Sequence, residues 1–381
     1  MKSLAALAAQ WLPAGLRRPL RATLDAPVRL AYRRRLAARP FTLPRTAPVL
    51  SYGGAIPRKS GAVVQGGRVK LTHLDRVFPE AMHDFNVLYL VSSAIPPHAI
   101  DLVRFAKKQG VKFVWNQNGV AYPAWAGQFT DDVNGPMREL LAEADFVIYQ
   151  SAFCRASANR LLGPAPCPVE VLFNPVDLAF FHPAEPPPPL SELRLLAMGT
   201  HTYAERVLVT LRALAEVRRS GREARLTIAG ALQWNRAEEE VRRTVAALGL
   251  QAHVTLRPAF SQTEAAELYR AHHVLLHPKY MDPCPTVVIE ALASGLPVVG
   301  PASGGLPELV AADAGRLVPV PEDWEAMHSP DPSAMASAVA DIAADWPHCS
   351  VAARRSAVER FAAGRWIEAH RALFHRVLKL S

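Results

Sequence analysis

The reading of this chain turns on residues 277–308: His277-Pro-Lys-Tyr-Met-Asp-Pro-Cys-Pro-Thr-Val-Val-Ile-Glu-Ala-Leu-Ala-Ser-Gly-Leu-Pro-Val-Val-Gly300, then Pro-Ala-Ser-Gly-Gly-Leu-Pro-Glu308. The apolar run His273–His277 at its head suits a strand buried in a parallel sheet. Pro285 stands where a helix begins, because its fixed φ suits the first helical position. Thr286–Ser294 has helical period and stops at Gly295, a residue that closes helices well. Pro297–Gly300 reads as the next strand. The unit is therefore β-loop-α-β, with its loop at the carboxyl end of a strand, where open α/β sheets bind ligands.

Two carboxylates mark the unit. Asp282 lies in the loop, and Glu290 lies eight positions later inside the helix. A helical Glu among Val287, Val288 and Leu292 is costly unless it meets a hydroxyl or a cation. Thr286 and Val287 supply backbone N–H groups at a helix N-terminus, which suit a phosphate. One acid beside phosphate donors and a second one deeper in suit a sugar nucleotide. An ordinary crossover helix with Glu290 in a structural salt bridge fits the same spacing equally well.

The stretch resembles the carboxyl-domain signature of the retaining GT-B glycosyltransferases of the group 1, family 4-like type. Their pattern is an acid, seven residues, a Glu, then Ala-x-Ala-x-Gly-x-Pro-Val-Val and a later Gly-Gly-x-x-Glu. Here Asp282 replaces the usual first Glu, and Pro-Cys-Pro replaces the usual Gly-Phe-Gly. The resemblance implies two doubly wound parallel-sheet domains facing a cleft, with a C-terminal crossover helix. It implies that Asp282 meets the transferred sugar and that Glu290 holds the ribose. It also implies cations for the donor diphosphate in the loop after Gly199. Thr200 stands at the family's Arg position, leaving Arg206 near its Lys position, with Lys279 as a further candidate. In the first domain the family's cleft glycines match Gly66 and Gly67, with Gly53-Gly54 competing. Asn118 falls where the family often carries a histidine.

At 381 residues, half of them hydrophobic, the chain has room for two domains of ordinary size. Four scattered cysteines without metal-ligand spacing fit a reducing cytosol. The net charge of +9 is not spread out. Residues 1–45 hold ten Lys or Arg against the single acid Asp25, so the rest of the chain is neutral. A nucleic-acid binder would distribute its cations over a face, so no nucleic-acid partner is expected. The extension sets Leu4, Leu7, Trp11, Leu12, Leu16 and Leu20 beside Arg17, Arg18, Arg21 and the run Arg33-Arg34-Arg35. That pattern describes an interfacial amphipathic helix on an anionic membrane face, through residues 1–40. A signal peptide fits poorly, and a disordered or locally packed arm is the plain alternative.

The remaining chain alternates. Strands are expected at Val49–Tyr52, running into a turn at Gly53-Gly54, and at Phe85–Val91, Val111–Trp115 and Phe146–Tyr149, separated by helices, and the amides Asn116-Gln117-Asn118 follow the third strand. Phe173-Asn-Pro-Val-Asp177 resembles the family's Asn-Gly-Val-Asp segment, which implies that it closes the first domain, with Pro175 where Gly is commoner, and Pro186–Pro189 is a stiff linker. The expected domains are a basic extension over 1–45, a Rossmann-like acceptor domain over 46–185, a nucleotide-sugar domain over 190–364 and a crossover helix over 365–381. In the second half, strands are expected at Leu193–Met198, Arg225–Gly230 and Val254–Leu256. No Asp-x-Asp occurs, so a metal-bridged diphosphate is not expected, nor is any cofactor beyond the sugar nucleotide as substrate. The expected activity is retaining, metal-independent sugar transfer to a glycan or lipid-linked acceptor in bacterial surface glycan or glycolipid synthesis. The expected place is the cytoplasm, peripheral on the inner face of the cell membrane. A glycoside hydrolase, a nucleotide-sugar epimerase of the same fold and a non-catalytic binding scaffold are the other readings.

Overall fold

The computed structural model describes residues 14–56, 67–257 and 260–380, without the side chains of 14–24 and Arg68. The chain divides into two compact units. The described residues up to Leu172, with Trp324–Ala326 and the chain from Ile367, form the first; Phe173–Asp323 and Met327–Trp366 form the second.

The first unit is built on a five-stranded parallel sheet in the order β1 to β5: β1 (Leu50–Ser51), β2 (Val87–Val91), β3 (Lys112–Gln117), β4 (Phe146–Tyr149) and β5 (Val169–Val171). Every residue of β2 and β4 is buried, as expected of strands covered on both faces. The third strand runs on through Asn116 and Gln117, past the end expected at Trp115. Burial fixes both amides there. Gln117 accepts from Trp115 Nε1 (2.8 Å) and donates to Gly119 O (2.8 Å), while Asn116 Nδ2 donates to Tyr89 Oη (2.7 Å). The last helix, Ala363–Leu378, gives this unit Leu373 and Phe374, both fully buried, with Phe374 edge-on to Phe78 and Tyr89.

The basic extension meets the same unit. Ala14–Ala37 is a helix, and Arg29 and Arg33 both bind the buried carboxylate of Asp101 on the Ala99–Lys108 helix, at 2.9 and 2.6 Å. Tyr32 packs against His98 (ring centroids 5.4 Å). Among the described residues the arm is thus locally packed, and Arg33 of the basic run, though exposed, is engaged by Asp101. Leu4, Leu7, Trp11 and Leu12 lie outside the described residues.

The second unit holds a six-stranded parallel sheet, ordered β11-β10-β9-β6-β7-β8: β6 (Leu193–Met198), β7 (Ala224–Ala229), β8 (Val254–Arg257), β9 (Val274–Leu276), β10 (Val298–Pro301) and β11 (Gly315–Val318). In chain order this is the doubly wound 3-2-1-4-5-6 arrangement, which reverses between its first and fourth strands. Those strands are β6 and β9, which pair at Leu195–Val274 and Leu196–Leu275. The unit begins at Phe173, ahead of the proline tract. Asn174 Nδ2 donates to Cys284 O (2.8 Å), and Val176 exchanges backbone bonds with Phe361 and Ala363, so the Phe173–Asp177 segment is pinned to this sheet's own loops.

Candidate functional site

Ligands bind open α/β sheets at the carboxyl ends of the strands where the order reverses. In the second unit that point is the end of β6 and β9, and the two loops leaving it are Gly199–Tyr203 and His277–Pro285. Gly199 (φ +130°) and Gly230 (φ +121°) meet behind the first loop, so closely that a Cβ on Gly230 would overlap the Gly199 carbonyl. His201 then bonds the next strand's exit through its backbone, and its Nε2 lies 3.1 Å from Ala229 O. Burial pushes the His201 imidazole down to about 4, with Arg206 and His277 adding to the effect against the Ala229 carbonyl. It is therefore neutral at physiological pH.

The helix Ala204–Arg219 follows, and Arg206 is its third residue. Its guanidinium lies 4.7 Å from the centroid of the Tyr203 ring, a cation–π contact. Arg206 is half-buried and close enough to lower the pKa of both His201 and His277.

The second loop holds the charge cluster. Asp282 is buried, its carboxylate 2.8 Å from Lys279 Nζ and 3.4 Å from His277 Nε2. Burial works to raise the Asp282 pKa, but Lys279 and His277 outweigh it and hold the acid well below the usual carboxylate range. Burial lowers His277 despite Asp282. Lys279 is thus partly exposed but not a spare cation, since its ammonium is engaged by Asp282. The backbone supports this geometry. Met281 takes a left-handed φ of +49°. Its N–H donates to Ser303 Oγ (3.1 Å), and Gly305 N–H donates to Asp282 O (2.8 Å). At Gly304 (φ +65°) a Cβ would come within 2.7 Å of Asp282 N, so the Gly-Gly pair is what lets the two loops touch.

The helix Thr286–Ala293 starts directly after Pro285. Pro285 is its N-cap and accepts from Val288 N–H (3.1 Å), which leaves Thr286 and Val287 as the amides at its mouth. Glu290 lies four residues on, about 6 Å along the axis. It meets a hydroxyl rather than a cation, with Tyr269 Oη donating to its carboxylate at 2.9 Å. Burial raises Glu290 to about 7 against that bond, and burial beside Glu290 pushes Tyr269 far above the ordinary range. The structural salt bridge considered for Glu290 is not what holds it.

Sequence reasoning missed His201, His277 and Tyr269. The His277-Pro pair closing an apolar strand could have flagged the second, but no pattern marks Tyr269, on the Gln262–Ala271 helix. Of the residues expected in the first unit, Gly66 lies outside the described residues. Gly67 opens the Gly67–Asp75 helix and is packed against Ser93, Val91 and Asn118 with no room for a Cβ. Asn118 accepts from Lys70 Nζ (2.8 Å), donates to Ser93 Oγ and takes its own N–H to Ser92 Oγ (2.8 Å). Lys70 is buried and also donates to Asn116 Oδ1 (3.0 Å). The two first-unit residues expected to act together are therefore neighbours, with Lys70 as their unexpected anchor.

A doubly wound sheet with a charged switch-point loop, a helix mouth and an interior Glu is a ligand-binding arrangement, and the fold is GT-B. Residues 181–330, within the second unit for the most part, match the model of the family described as Glycosyl transferases group 1. The chain is 30% identical over 199 residues to the D-inositol 3-phosphate glycosyltransferase of Segniliparus rotundus, covering 49% of this chain and 44% of that protein. It is 28% identical over 256 residues to the glycogen synthase of Mycobacterium tuberculosis, covering 65% and 59%. The chain thus spans about half the length of these curated relatives. Among solved structures, sucrose-phosphate synthase from Thermosynechococcus elongatus superposes with a TM-score of 0.64 at 18% identity, covering 86% and 83% of the chains. Anabaena HepE in complex with UDP and glucose gives 0.63 at 15% identity, covering 81% and 80%. At such identities these two speak for the fold alone.

Proposed function

We propose that this chain is a retaining glycosyltransferase that moves a sugar from a nucleoside-diphosphate sugar to an acceptor hydroxyl without a bridging metal. The observation that carries the reading is the buried, ionised Asp282 at the switch point, with Arg206 nearby and Glu290 inside the adjoining helix. Glu290 holds the ribose, as the group common to every donor. Asp282 accepts from the sugar hydroxyls, and Lys279 keeps it ionised and oriented. Charge builds on the leaving phosphate as the anomeric bond breaks and the transition state becomes oxocarbenium-like. Arg206 and the amides of Thr286 and Val287 stabilise that charge. A solved GT-B neighbour crystallised with UDP makes uridine diphosphate sugars the first donors to test.

The acceptor is a glycan or a lipid-linked glycan, in keeping with the sugar-polymer and inositol phosphate chemistry in the relatives' names. Peripheral attachment to the inner face of the cell membrane through residues 1–40 belongs to the same proposal. No described helix is long and apolar enough to cross a membrane, and Arg34 and Arg35 are exposed beside the engaged Arg29 and Arg33.

One observation favours a second reading. Thr200 stands where the family has a cation, and Lys279 is engaged by Asp282, as a scaffold that binds without turning over would tolerate. Incubation with UDP-glucose, followed by proton NMR of the anomeric signal, separates the two. Slow donor consumption that Asp282→Asn abolishes supports the transferase, whereas binding without consumption supports the scaffold.

A further inference from the structure

Asp282 is gripped by one oxygen only. Lys279 Nζ at 2.8 Å and His277 Nε2 at 3.4 Å both face Oδ2, while Oδ1 meets no hydrogen-bond donor among the described residues. The two anchors are unlike. The Lys279 side chain is 41% exposed and ends a flexible four-carbon stem, so it supplies charge more than direction. The His277 side chain is buried, and its backbone is fixed at both ends. Its N–H donates to Val299 O (2.8 Å), and a Cβ on Gly300 would come within 2.7 Å of its carbonyl oxygen. Pro278 follows, which confines His277 to extended backbone. The imidazole therefore stands at a set place just past β9, beside the carboxylate.

Nε2 itself is fully buried. Its 3.4 Å contact with Oδ2 is longer than the roughly 2.7–3.2 Å of a settled N–H···O bond, so its hydrogen-bonding capacity is unmet. A buried polar atom in that state is costly, and long contacts of this kind at catalytic sites tighten when substrate binds. The proton belongs on Nε2, because two lone pairs would otherwise face each other. Burial lowers the imidazole's pKa despite Asp282, so at neutral pH the ring donates without adding a charge. We propose that His277 is a positioning residue for Asp282: its Nε2–H holds Oδ2, so that Oδ1 faces the donor sugar and accepts from its hydroxyls. The inference rests on the glycosyltransferase reading and adds to it the group that aims the acid. The aim matters because Asp282 has one methylene fewer than the Glu usual in its place, and a shorter side chain has less reach with which to correct a wrong angle.

The test uses the full chain and titration calorimetry with UDP, UDP-glucose, UDP-galactose and UDP-N-acetylglucosamine. In the wild type at least one of the UDP-sugars should bind more tightly than UDP. His277→Ala should lower the affinity for that UDP-sugar about tenfold and leave UDP within about threefold. A merely structural role would not split the two ligands in this way. His277→Gln, whose side-chain amide N–H reaches the place of Nε2, should recover most of the loss. Nitrogen-15 spectra of the imidazoles, with His277 assigned through His277→Gln, should show that ring neutral with its proton on Nε2, and Asp282→Ala should abolish the preference. The proposal is overturned if no UDP-sugar gains over UDP in a wild type that binds UDP, or if His277→Ala weakens UDP and UDP-sugar alike. It is equally overturned if His277→Gln behaves as His277→Ala, or if the proton sits on Nδ1. Failure of the donor reading shows separately, as a wild type that binds no UDP, and the nitrogen spectra then still decide the bond between His277 and Asp282.

Discussion

Glu290 is a carboxylic acid in a place that does not favour its charge. Its pKa, raised to about 7 by burial, sets a sign for stability. An unfolded Glu titrates near 4.3, so between that value and about 7 the native state holds a proton that the unfolded chain has released. Stability is therefore fully present below about 4.3 and is lost as pH rises through 7. Glu290→Gln should stabilise the empty protein by roughly 1–3 kcal/mol at pH 8 and by little at pH 5, read by urea denaturation. An equal effect at both values would place the carboxyl in an ordinary, solvated setting. Arg206 makes a second residue-scale prediction. Hydrogen bonds to charged groups are worth roughly 1.5–3 kcal/mol, so Arg206→Ala should weaken UDP binding about ten- to a hundredfold and leave uridine binding unchanged. If Arg206→Ala is silent while Lys279→Ala damages UDP binding, the diphosphate sits instead at the Asp282 loop.

At the scale of elements, the Ser303-Gly304-Gly305 turn acts as a brace for the Asp282 loop. Gly304→Ala puts a Cβ into the Asp282 backbone at a left-handed φ, which costs on the order of 1–3 kcal/mol of strain. It should lower the melting temperature by several degrees and weaken UDP-glucose binding more than UDP binding, because Asp282 moves and Glu290 does not. Equal losses for both ligands would mean that the brace does not act through Asp282. Much at this scale was legible beforehand. The apolar runs of β2, β4 and β9 announce strands because both faces of each are covered, and the Thr286–Ala293 helix shows its proline, period and glycine. The expectation passed over Val169–Val171 and Gly315–Val318. The first is only half-buried along its length, and the second mixes Gly and Arg into its pairing with β10. The acids of the site were legible as a spacing. Tyr269, Lys70 and the Asp282–Lys279 pairing were not, because a side chain's partner across the fold leaves no local period.

For the molecule as a whole, the charge imbalance of the sequence acquires an address. Asp101 is buried, and the bonds from Arg29 and Arg33 outweigh burial and hold its carboxylate below the ordinary range. Such a group contributes stability above about pH 4, and that contribution fades as pH falls towards the lowered native value. Because both arginines keep much of their exposure, Asp101→Asn should cost only about 1 kcal/mol in total. It should nevertheless loosen the helix, so that trypsin cuts within Arg33–Arg35 several times faster. An unchanged cleavage rate would mean that the ion pairs do not hold the helix in place.

The central claim is that the switch point of the second unit binds a nucleoside diphosphate through Glu290 and reads the sugar through Asp282. Titration calorimetry with UDP on the wild type, Glu290→Ala and Asp282→Ala tests it most directly. The account predicts wild-type binding, a loss of at least tenfold in Glu290→Ala, and an affinity within about threefold of wild type in Asp282→Ala. Equal losses from the two substitutions, or a wild type that does not bind UDP, would contradict it.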